Sequence, residues 1–554
     1  MFGAEVLLED DATTRKARGA FFTPPEICRS VAEWAIRSPA DRVMEPSCGD
    51  AAFLRAATDR LRALGAPLPV PGSIPFGQIQ AVELHRPSAH QAAAVATRAG
   101  IPATILEGDF FDLDADPRFD AVIGNPPYVR YQDFTGAARL KAQRRAVEAG
   151  RPMSGLASSW ASFVLHASRF LAPGGRLGLV LPAELLSVNY AAPVRSFLLE
   201  SFGRVELVLF EERVFPGVME EVVLLLAEGP GASTNHFTVR QVRDLDALTS
   251  KRRASSSWAP RLTAEKWLPA LLPVEAANAY AGLTNGAFTT LAAWGGTHLG
   301  SVTGNNRYFA LTPAEVQRWG LRADDLLPIS PPGSRHLRGV TFTTQAWDAM
   351  AAAGAPVFLF YPGEEPSEAA QRYIDHGLAG GVQEAYKCRV RTPWWRVPVI
   401  ATPDLFLTYM NHDTPRLVSN DAGVRHLNSI HGVTLKPEHR AHGSLLLPIA
   451  SLNSATALGA ELVGRAYGGG MLKLEPREAG RLPVPTPELV AAAGKALRAI
   501  VPRLGEALRG GALDAATEMV DRILLIDGAG LGQSEVRNLR AARAALFARR
   551  VARS

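Results

Sequence analysis

Four short apolar runs follow one another near the start of the chain, at residues 42–54, 78–84, 103–107 and 119–124. The first run reads as a short strand, a loop of small residues and the start of a helix, and the other three read as strands. Strands of this length separated by helical stretches are typical of an open α/β sheet. The pattern therefore predicts a doubly wound α/β domain whose loops meet at the carboxyl edge of the sheet.

The pattern changes along the rest of the chain. Residues 228–234 (EGPGAST) have the composition of a linker, and from about Thr289 short strands alternate with Gly, Asn and Pro without a fixed period. After Pro487, three Ala- and Leu-rich stretches read as helices, with a break at residues 510–511 between the first two. We expect three domains, at residues 1–235, 236–486 and 487–554.

Composition narrows the class of protein without identifying it. The chain has 554 residues, of which 47% are hydrophobic and 20% charged, which is enough to bury the cores of two or three domains. Its three cysteines, Cys28, Cys48 and Cys388, have no paired spacing, so neither a disulfide framework nor a metal site is expected. No apolar stretch approaches the roughly 18 residues of a membrane span, and no leader pattern stands at the N-terminus. We expect a cytoplasmic protein without a membrane partner.

The turn Asn125-Pro126-Pro127-Tyr128 directly follows the apolar run at 119–124. Two prolines fix φ and remove two backbone donors, so the Asn125 amide oxygen and the Pro126 carbonyl become preset acceptors that face one point. An exocyclic amino group fits that point, and Tyr128 offers an aromatic face for a planar base. The motif predicts an amino-group methyltransferase, although a short motif of this kind also occurs by chance as a Pro-rich turn.

Three positions after the other predicted strands suit a nucleoside cofactor. Glu83 ends the second strand, where a carboxylate can accept hydrogen bonds from a ribose diol. Asp109 follows the third strand and can accept from an adenine amine, while the neighbouring Phe110 can lie against the purine ring. These positions share the carboxyl edge of the predicted sheet with the turn at Asn125.

This order of motifs resembles the class I S-adenosylmethionine-dependent methyltransferases, most closely the gamma-group, TaqI-like N6-adenine DNA methyltransferases. In that group a segment such as Thr23-Pro24-Pro25-Glu26 precedes the first strand, and the matching motifs span residues 19–227 here. The implied fold is an α/β class I (Rossmann-like) domain, followed by a mixed β-rich target-recognition domain and a helical C-terminal tail. One departure is Ala51, where the family usually has a glycine that permits close backbone approach.

The resemblance implies roles for individual residues. Phe163 is expected beside the cofactor adenine and Phe215 against the flipped base, with Tyr128 as the second stacking partner of that base. Cys48, within the cofactor loop, is expected to pack rather than to act as a nucleophile. The full set of expected cofactor contacts is Thr23, Glu45, Cys48, Gly49, Glu83, Asp109, Phe110 and Phe163.

The activity implied is methyl transfer from S-adenosylmethionine to adenine N6 in double-stranded DNA by base flipping, as the modification half of a restriction-modification system. A cognate restriction endonuclease would then act as a separate protein. Two alternatives stay open: an N4-cytosine methyltransferase, which usually has Ser where Asn125 stands, and an RNA or protein-glutamine N-methyltransferase. A DNA-binding or restriction subunit with a decayed catalytic fold is disfavoured, because the chain keeps Asn125 and also the expected cofactor contacts Thr23, Glu45, Glu83 and Asp109.

Charge adds candidate contacts to DNA. The net charge of +5 and a pI near 9.1 allow a polyanionic partner without requiring one. Residues 139–151 are rich in basic side chains. Residues 387–396 (KCRVRTPWWR) combine four basic side chains with two tryptophans, which suits contact with phosphates and stacking on nucleobases. The alternatives are a solvated helix surface and a core-facing Trp pair. The Arg-rich stretch 537–553 predicts an amphipathic helix that docks on the protein or touches DNA.

Within these segments and one Asn-rich turn, six residues are the candidate DNA contacts. Asn suits adenine and Arg suits guanine in a groove, although paired asparagines also form turns. The candidates are Lys387, Arg389, Arg391, Arg396, Asn305 and Arg307.

Overall fold

The computed structural model describes residues 23–66, 78–101, 103–212, 214–215, 221–248, 255–260 and 263–552. The chain divides into two compact units, Met1–Leu271 (unit 1) and Leu272–Ser554 (unit 2). The segment at 19–22, the surroundings of Phe215 at 213 and 216–220, and Arg553 lie outside the described residues.

Unit 1 is built on one nine-stranded sheet with the order β3-β2-β1-β4-β5-β7-β6-β8-β9. Strands β3, β2, β1, β4 and β5 are parallel, whereas β7 is antiparallel to both of its neighbours. The strands are β1 (Val43–Glu45), β2 (Ile79–Glu83), β3 (Ala103–Glu107), β4 (Phe119–Gly124), β5 (Leu171–Pro182), β6 (Phe202–Phe210), β7 (Val222–Pro230), β8 (Phe237–Val242) and β9 (Ser256–Trp258). The four predicted strands are confirmed. Apolar residues of β1, β2 and β4 are buried, whereas β3 lies at the edge of the sheet and is half-buried to exposed.

The helices of unit 1 connect the parallel strands. In the first, Ile27, Val31 and Ala35 recur at four-residue spacing and are buried, which fixes the face that packs on the sheet. The helices are α1 (Pro25–Ala35), α2 (Ala52–Ala63), α3 (Arg86–Ala99), α4 (Gly136–Glu148), α5 (Ser159–Ser168), α6 (Glu184–Ser187), α7 (Ala192–Ser201) and α8 (Leu245–Leu248). The strand order reverses at β1, between β2 and β4, so the crevice for a ligand lies beside the carboxyl ends of these strands.

Unit 1 continues past residue 235, where the linker-like composition of 228–234 suggested a boundary. Strand β8 pairs in parallel with β6 in the same sheet. The backbone N–H of Gly231 donates to the Ser201 carbonyl at 2.9 Å, and that of Thr234 donates to the Leu199 carbonyl at 2.8 Å. The Gly-rich stretch is therefore a hydrogen-bonded connection within the sheet.

Unit 2 combines small sheets with many helices. Its strands form a β10-β22 pair, a five-stranded sheet β11-β19-β16-β18-β14, and two three-stranded sheets, β12-β15-β13 and β17-β21-β20. They are β10 (Phe288–Thr290), β11 (Gly295–Leu299), β12 (Ala310–Leu311), β13 (Leu326–Pro328), β14 (Thr341–Phe342), β15 (Phe358–Phe360), β16 (Leu405–Thr408), β17 (Met410–Asn411), β18 (Leu417–Asn420), β19 (Ile430–Leu435), β20 (Arg465–Tyr467), β21 (Met471–Lys473) and β22 (Pro483–Pro485). The short strands predicted after Thr289 are confirmed.

Helices cover the sheets of unit 2 and form its end. They are α9 (Val274–Thr284), α10 (Leu291–Trp294), α11 (Asn306–Phe309), α12 (Pro313–Trp319), α13 (Thr344–Ala352), α14 (Glu368–Ala379), α15 (Tyr386–Arg389), α16 (Pro437–Ala450), α17 (Ser454–Val463), α18 (Pro476–Ala479), α19 (Pro487–Ala492), α20 (Gly494–Arg509), α21 (Leu513–Asp521) and α22 (Gln533–Ala552). The predicted break at 510–511 separates α20 from α21. Residues after 487 share a core with the sheets, since Leu497 and Leu504 pack in one cluster with Leu405 and Val433.

The Arg-rich helix α22 docks on unit 2 through its arginines. Arg550 and Glu461 form an ion pair in which the side chains are only 3% and 4% exposed, at 2.8 Å. Arg540 binds the buried Asp521 at 2.8 Å, and Arg543 donates to the Asp413 carbonyl at 2.9 Å. Of the two predictions for this segment, docking on the protein is the one that the structure supports.

We expect Arg550→Ala to destabilise unit 2 by about 3 to 5 kcal/mol, because it leaves the Glu461 carboxylate buried without its counter-charge. The double variant Arg550→Met/Glu461→Leu should recover most of that loss. Arg537→Ala, an exposed arginine of the same helix, is the control and should change stability by less than about 0.5 kcal/mol. Urea unfolding followed by tryptophan fluorescence measures all three, and an Arg550→Ala midpoint equal to that of Arg537→Ala would show that the pair contributes nothing.

Candidate functional site

The turn Asn125–Tyr128 leaves the carboxyl end of β4 and is held by side chains from elsewhere in unit 1. The Asn125 amide nitrogen donates to the Thr23 hydroxyl at 3.1 Å, and the Ser47 hydroxyl donates to the Asn125 carbonyl at 3.1 Å. Thr23 is itself only 8% exposed, so the contact is shielded from water. These two bonds set the rotation of the amide and tie the turn to the segment before α1 and to the loop after β1.

The second half of the turn is held by the first residue of α5. The Ser159 hydroxyl accepts from the Val129 backbone N–H at 2.9 Å and donates to the Pro127 carbonyl, while the Ser159 N–H donates to the Val129 carbonyl at 3.0 Å. The Tyr128 hydroxyl donates to the Val180 carbonyl at 3.0 Å. The turn is thus fixed along its length before any ligand arrives.

The loop after β1 wraps around the end of β2. The Glu83 carboxylate accepts from the Gly49 N–H at 2.9 Å with one oxygen and from the His85 N–H at 2.9 Å with the other. The Cys48 N–H donates to the Val82 carbonyl at 3.0 Å. A carboxylate offers about four lone-pair positions, so Glu83 keeps capacity for a diol while it orders the loop.

Ala51 adopts the left-handed conformation, with φ 67° and ψ 24°. An L side chain costs roughly 1 to 2 kcal/mol in this region, and glycine costs far less. The departure from the family pattern at this position therefore leaves the loop in the glycine conformation and adds strain to it. Ala51 also forms the N-cap position of α2 without a side chain that accepts a hydrogen bond.

Glu45 is buried beneath this loop at the end of β1. Burial raises the pKa of its carboxyl well above the ordinary range, and the nearby carboxylates of Asp50 and Glu83 raise it further. Its Oε2 atom is buried and has no hydrogen-bond partner among the described residues. A cationic group that approached the loop would supply both the missing donor and the missing counter-charge.

S-adenosylmethionine fits this donor set. It carries a sulfonium and an ammonium, and the loop places three carboxyl groups, Glu45, Asp50 and Glu83, in electrostatic contact with one another. Cys48 is buried, and burial together with the same carboxylates raises the pKa of its thiol. Its expected role in packing agrees with this environment, because a neutral buried thiol is a poor nucleophile.

The aromatic residues expected around the adenine form one cluster. The rings of Phe110 and Phe163 are stacked, with centroids 5.3 Å apart and an angle of 21° between their planes. Phe111 meets Phe163 edge-on at 4.6 Å, and His166 lies 4.7 Å from Phe110. Burial lowers the pKa of His166 to about 4, so this wall stays uncharged at neutral pH.

Asp109 stands at the rim of the aromatic cluster. Its Oδ1 accepts from the Phe111 N–H at 3.0 Å, and its Oδ2 lies 3.5 Å from the Lys141 ammonium. Lys141 is also 2.6 Å from Asp112. The structure thus brings the predicted Asp109, Phe110 and Phe163 together on one side of the site.

Phe215 and Tyr128 belong to one hydrophobic cluster of unit 1, in which Phe215 is buried and Tyr128 is partly exposed. This cluster is extensive, and membership in it places both side chains against the core of unit 1. Sequence reasoning missed Ser47 and Ser159, two of the three hydroxyls that hold the turn. Ser159 had a detectable signal, because Ser158-Ser159 precedes an apolar helical run as a helix start does.

Basic side chains of the run at 139–151 form ion pairs within unit 1. Arg145 binds Asp114 at 3.0 Å and Glu148 at 2.9 Å, and Arg151 binds Glu200. The alternative reading as a helix surface therefore accounts for this segment.

The six candidate DNA contacts of unit 2 separate into two groups. Arg391 donates to the Thr303 carbonyl at 2.7 Å and to the Val302 carbonyl, and the guanidinium of Arg396 lies 5.1 Å from the ring centroid of Trp395. The Asn305 side chain caps α11 by accepting from the Tyr308 N–H at 3.2 Å. By contrast, Arg307, Lys387 and Arg389 are exposed.

The Trp pair of the segment 387–396 points inward. Trp395 is buried, and the ring of Trp394 lies 5.6 Å from that of Tyr308 and 6.3 Å from that of Phe309. The prediction that these tryptophans stack on DNA bases is therefore wrong, and the alternative of a core-facing pair describes them. Aromatic side chains of this size contribute most of their energy when they are buried.

In the part of the chain that the structure covers, no cluster of three or more His, Cys, Asp or Glu side chains is placed to hold a metal ion. Over the same residues, no single helix is long and apolar enough to cross a membrane. One pair of helices, Pro437–Ala450 and Ser454–Val463, passes that test by length and composition and is bent by 87°.

Comparisons with known proteins agree with this geometry. A family model described as the C-terminal domain of the type II methyltransferase M.Eco57I matches residues 264–525, and one described as the Eco57I restriction-modification methylase matches residues 93–215. The type II methyltransferase M.XamI of Xanthomonas campestris pv. amaranthicola is 27% identical over 501 residues, 88% of each chain. M.AccI of Acinetobacter calcoaceticus is 22% identical over 474 residues, 84% of each chain.

One solved structure shares the fold over nearly the whole chain. It is the type IIL restriction-modification enzyme MmeI in complex with DNA, with a TM-score of 0.58 and 11% sequence identity, covering 98% of this chain and 80% of that one. Together with the strand order of unit 1, this likeness confirms the predicted class I methyltransferase fold followed by a mixed, β-containing region.

The environment of Glu45 predicts how stability depends on pH. Its pKa is higher in the folded chain than in the unfolded chain, so the folded state loses stability as pH rises above the unfolded value. Glu45→Gln removes this cost, and its stability advantage over the unmodified chain should grow between about pH 5 and pH 8. Urea midpoints at several pH values measure it, with Glu33→Gln, an exposed carboxylate of α1, as the control. An advantage that is independent of pH would contradict the prediction.

Proposed function

We propose that the chain is a type II restriction-modification methyltransferase that methylates the N6 amine of adenine in duplex DNA. The family models over residues 264–525 and 93–215 and the likeness to M.XamI and M.AccI support this proposal. S-adenosylmethionine is the proposed methyl donor, and the target is one short sequence. A cognate restriction endonuclease, acting as a separate protein on the same sequence, is the proposed biological counterpart. The observation that carries the proposal is the held turn at Asn125, next to a loop suited to a cationic cofactor.

Orientation of the Asn125 amide supports an amine substrate. Since the amide nitrogen donates to Thr23, the amide oxygen is presented on the opposite side, and an oxygen accepts hydrogen bonds. In the proposal this oxygen and the Pro126 carbonyl both accept from the N6 amine. An amine that donates both of its hydrogens in this way becomes more pyramidal, and its lone pair points away from the ring plane toward the methyl donor.

The residues of the turn act by positioning and by electrostatics. The adenine amine is a weak nucleophile because its lone pair is delocalised into the ring, and two fixed acceptors counter that delocalisation without a change in their own arrangement. S-adenosylmethionine, when bound, supplies a methyl group activated by its sulfonium. Glu45 holds the cationic amino-acid end, Glu83 the ribose diol, and Asp109 the adenine amine of the cofactor.

Extrusion of the target base is supported by the aromatic residues beside the turn. Removing a base from the duplex costs a few kcal/mol. A stacking contact with an aromatic side chain returns about 1 to 3 kcal/mol for each ring. The Tyr128 hydroxyl donates to the Val180 carbonyl, which holds this ring next to Asn125. In the proposal Tyr128 and Phe215 are the two stacking partners of the base.

Analysis of the methylated product tests the proposal. Purified protein incubated with plasmid DNA and S-adenosylmethionine should yield N6-methyladenine after digestion to nucleosides. Detection of N4-methylcytosine would show that the target base is cytosine and not adenine. Methylation confined to RNA or to a protein glutamine would reject DNA as the substrate.

We expect Asn125→Ala to reduce methyl transfer at least about 100-fold, the scale of losing one fixed electrostatic contact to the reacting group. Affinity for S-adenosylmethionine should stay within about a factor of two, because Asn125 contacts the target amine in this proposal. Asn189→Ala, an exposed asparagine of the same unit, is the control for loss of an amide. Incorporation of tritiated methyl groups and calorimetric titration separate the two effects, and a variant that retains the full rate would remove Asn125 from the mechanism.

A further inference from the structure

Two segments of unit 2 that are far apart in sequence, 304–307 and 386–393, lie against each other. A Cβ atom on Gly304 would come within 2.9 Å of the Lys387 Cβ and 3.3 Å of the Cys388 sulfur. Gly304 also has a φ of 88°, which a glycine adopts at little cost. The close approach therefore depends on this glycine and makes one continuous surface from the two segments.

The surface is braced from the inside. The Arg391 guanidinium donates to two consecutive carbonyls, Val302 and Thr303, and the Cys388 thiol lies 3.7 Å from the Thr303 carbonyl. Trp394 packs below against Tyr308. The two segments are held in a fixed relation by contacts that leave their outer side chains available.

The outer side chains are cationic and surround an exposed tyrosine. The Tyr386 side chain is 63% exposed. Its ring centroid lies 5.4 Å from the Lys387 ammonium and 6.0 Å from the central guanidinium carbon of Arg389. Arg307 is exposed on the facing segment. We call this set of four residues, Arg307, Tyr386, Lys387 and Arg389, the Tyr386 patch.

The cations of the Tyr386 patch have no carboxylate within the two segments, and the nearest one in sequence is Glu384, two residues before Tyr386. Within the described parts of the chain none of the three cations takes part in an ion pair. The cations of helix α4 offer the contrast, since Lys141, Arg144 and Arg145 are all paired with carboxylates. An uncompensated cationic cluster held on a rigid base complements a regular polyanion.

We propose that the Tyr386 patch contacts the sugar-phosphate backbone of duplex DNA. In this arrangement the three cations neutralise phosphates, and the Tyr386 ring packs against a deoxyribose. Such contacts fix the register of a protein on the duplex and carry no sequence information. Arg391, Arg396 and Asn305 support the surface and do not touch DNA. This inference rests on the proposed function in one respect, which is that the polyanion bound by the patch is duplex DNA.

Binding measured at several salt concentrations tests two of the three cations. For a 30-base-pair duplex of arbitrary sequence, Lys387→Gln and Arg389→Gln should each weaken binding by roughly five- to ten-fold at about 0.1 M salt. Each should also reduce the slope of log K against log salt by about one unit. Lys495→Gln, an exposed lysine of α20, is the control and should change neither quantity. Fluorescence anisotropy of labelled DNA provides both readouts without any methyl transfer.

Tyr386 is tested by a pair of substitutions. Tyr386→Phe keeps the ring and should bind as the unmodified chain does, whereas Tyr386→Leu should lose at least about five-fold, the lower end of the effect of an aromatic contact with nucleic acid. Arg391→Ala should lower the melting temperature, because it removes two hydrogen bonds that join the segments. The melting temperatures of the Gln, Phe and Leu variants should be unchanged, since these side chains are exposed.

The outcomes separate this inference from the proposed function. If the unmodified protein binds no duplex DNA, the proposed function fails. If it binds DNA and the Gln variants retain the same affinity and salt slope, the Tyr386 patch is not a DNA contact. A loss confined to duplex RNA of the same length would also overturn the inference, because it would assign the surface to a different polymer.

Discussion

The proposed role of the turn at Asn125 requires one orientation of its amide, and that orientation depends on hydrogen bonds with side chains distant in sequence. Thr23, Ser47 and Ser159 each contact a different part of the turn. Thr23 precedes α1, Ser47 follows β1 and Ser159 begins α5, so three separate connections around the parallel part of the sheet meet at the turn. Hydroxyls are suited to this task because one oxygen both donates and accepts, as Ser159 does here.

Helix α5 gives the two halves of the site a common support. Its first residue, Ser159, holds the turn, while Phe163 and His166, four and seven residues later, form part of the aromatic cluster on the adenine side. These three residues fall along one side of a helix with 3.6 residues per turn. A displacement of the helix along its axis would thus move the Ser159 contact to the turn and the aromatic wall together.

The local parts of this structure were predictable, and the long-range parts were not. Strand β4 and its turn follow from an apolar run and two prolines, because both act on their own stretch of backbone. The partner of Ser47 lies 78 residues away, and nothing in the sequence around it indicates that contact. The composition of 228–234 misled for a related reason, since glycines serve a turn within a sheet as well as they serve a linker.

The basic segments show the same limit. Arg391 and Arg389 are two residues apart and chemically identical, but Arg391 turns inward to backbone carbonyls while Arg389 stays in solvent. Charge alone carries no information about which side of the backbone faces the core. The same holds for Trp394, which packs against Tyr308 and Phe309 from a segment more than 80 residues earlier.

Docking of helix α22 has a consequence for biosynthesis. Its arginines reach residues 412–413, 461 and 470, which are made well before it, and some of these contacts span 80 to 138 residues. A ribosome adds about 5 to 20 residues per second, so the buried carboxylate of Glu461 waits several seconds for its partner. Unit 2 therefore completes its core after the sheet of unit 1 has been synthesised in full, so the whole sequence of unit 1 is available for folding before that of unit 2.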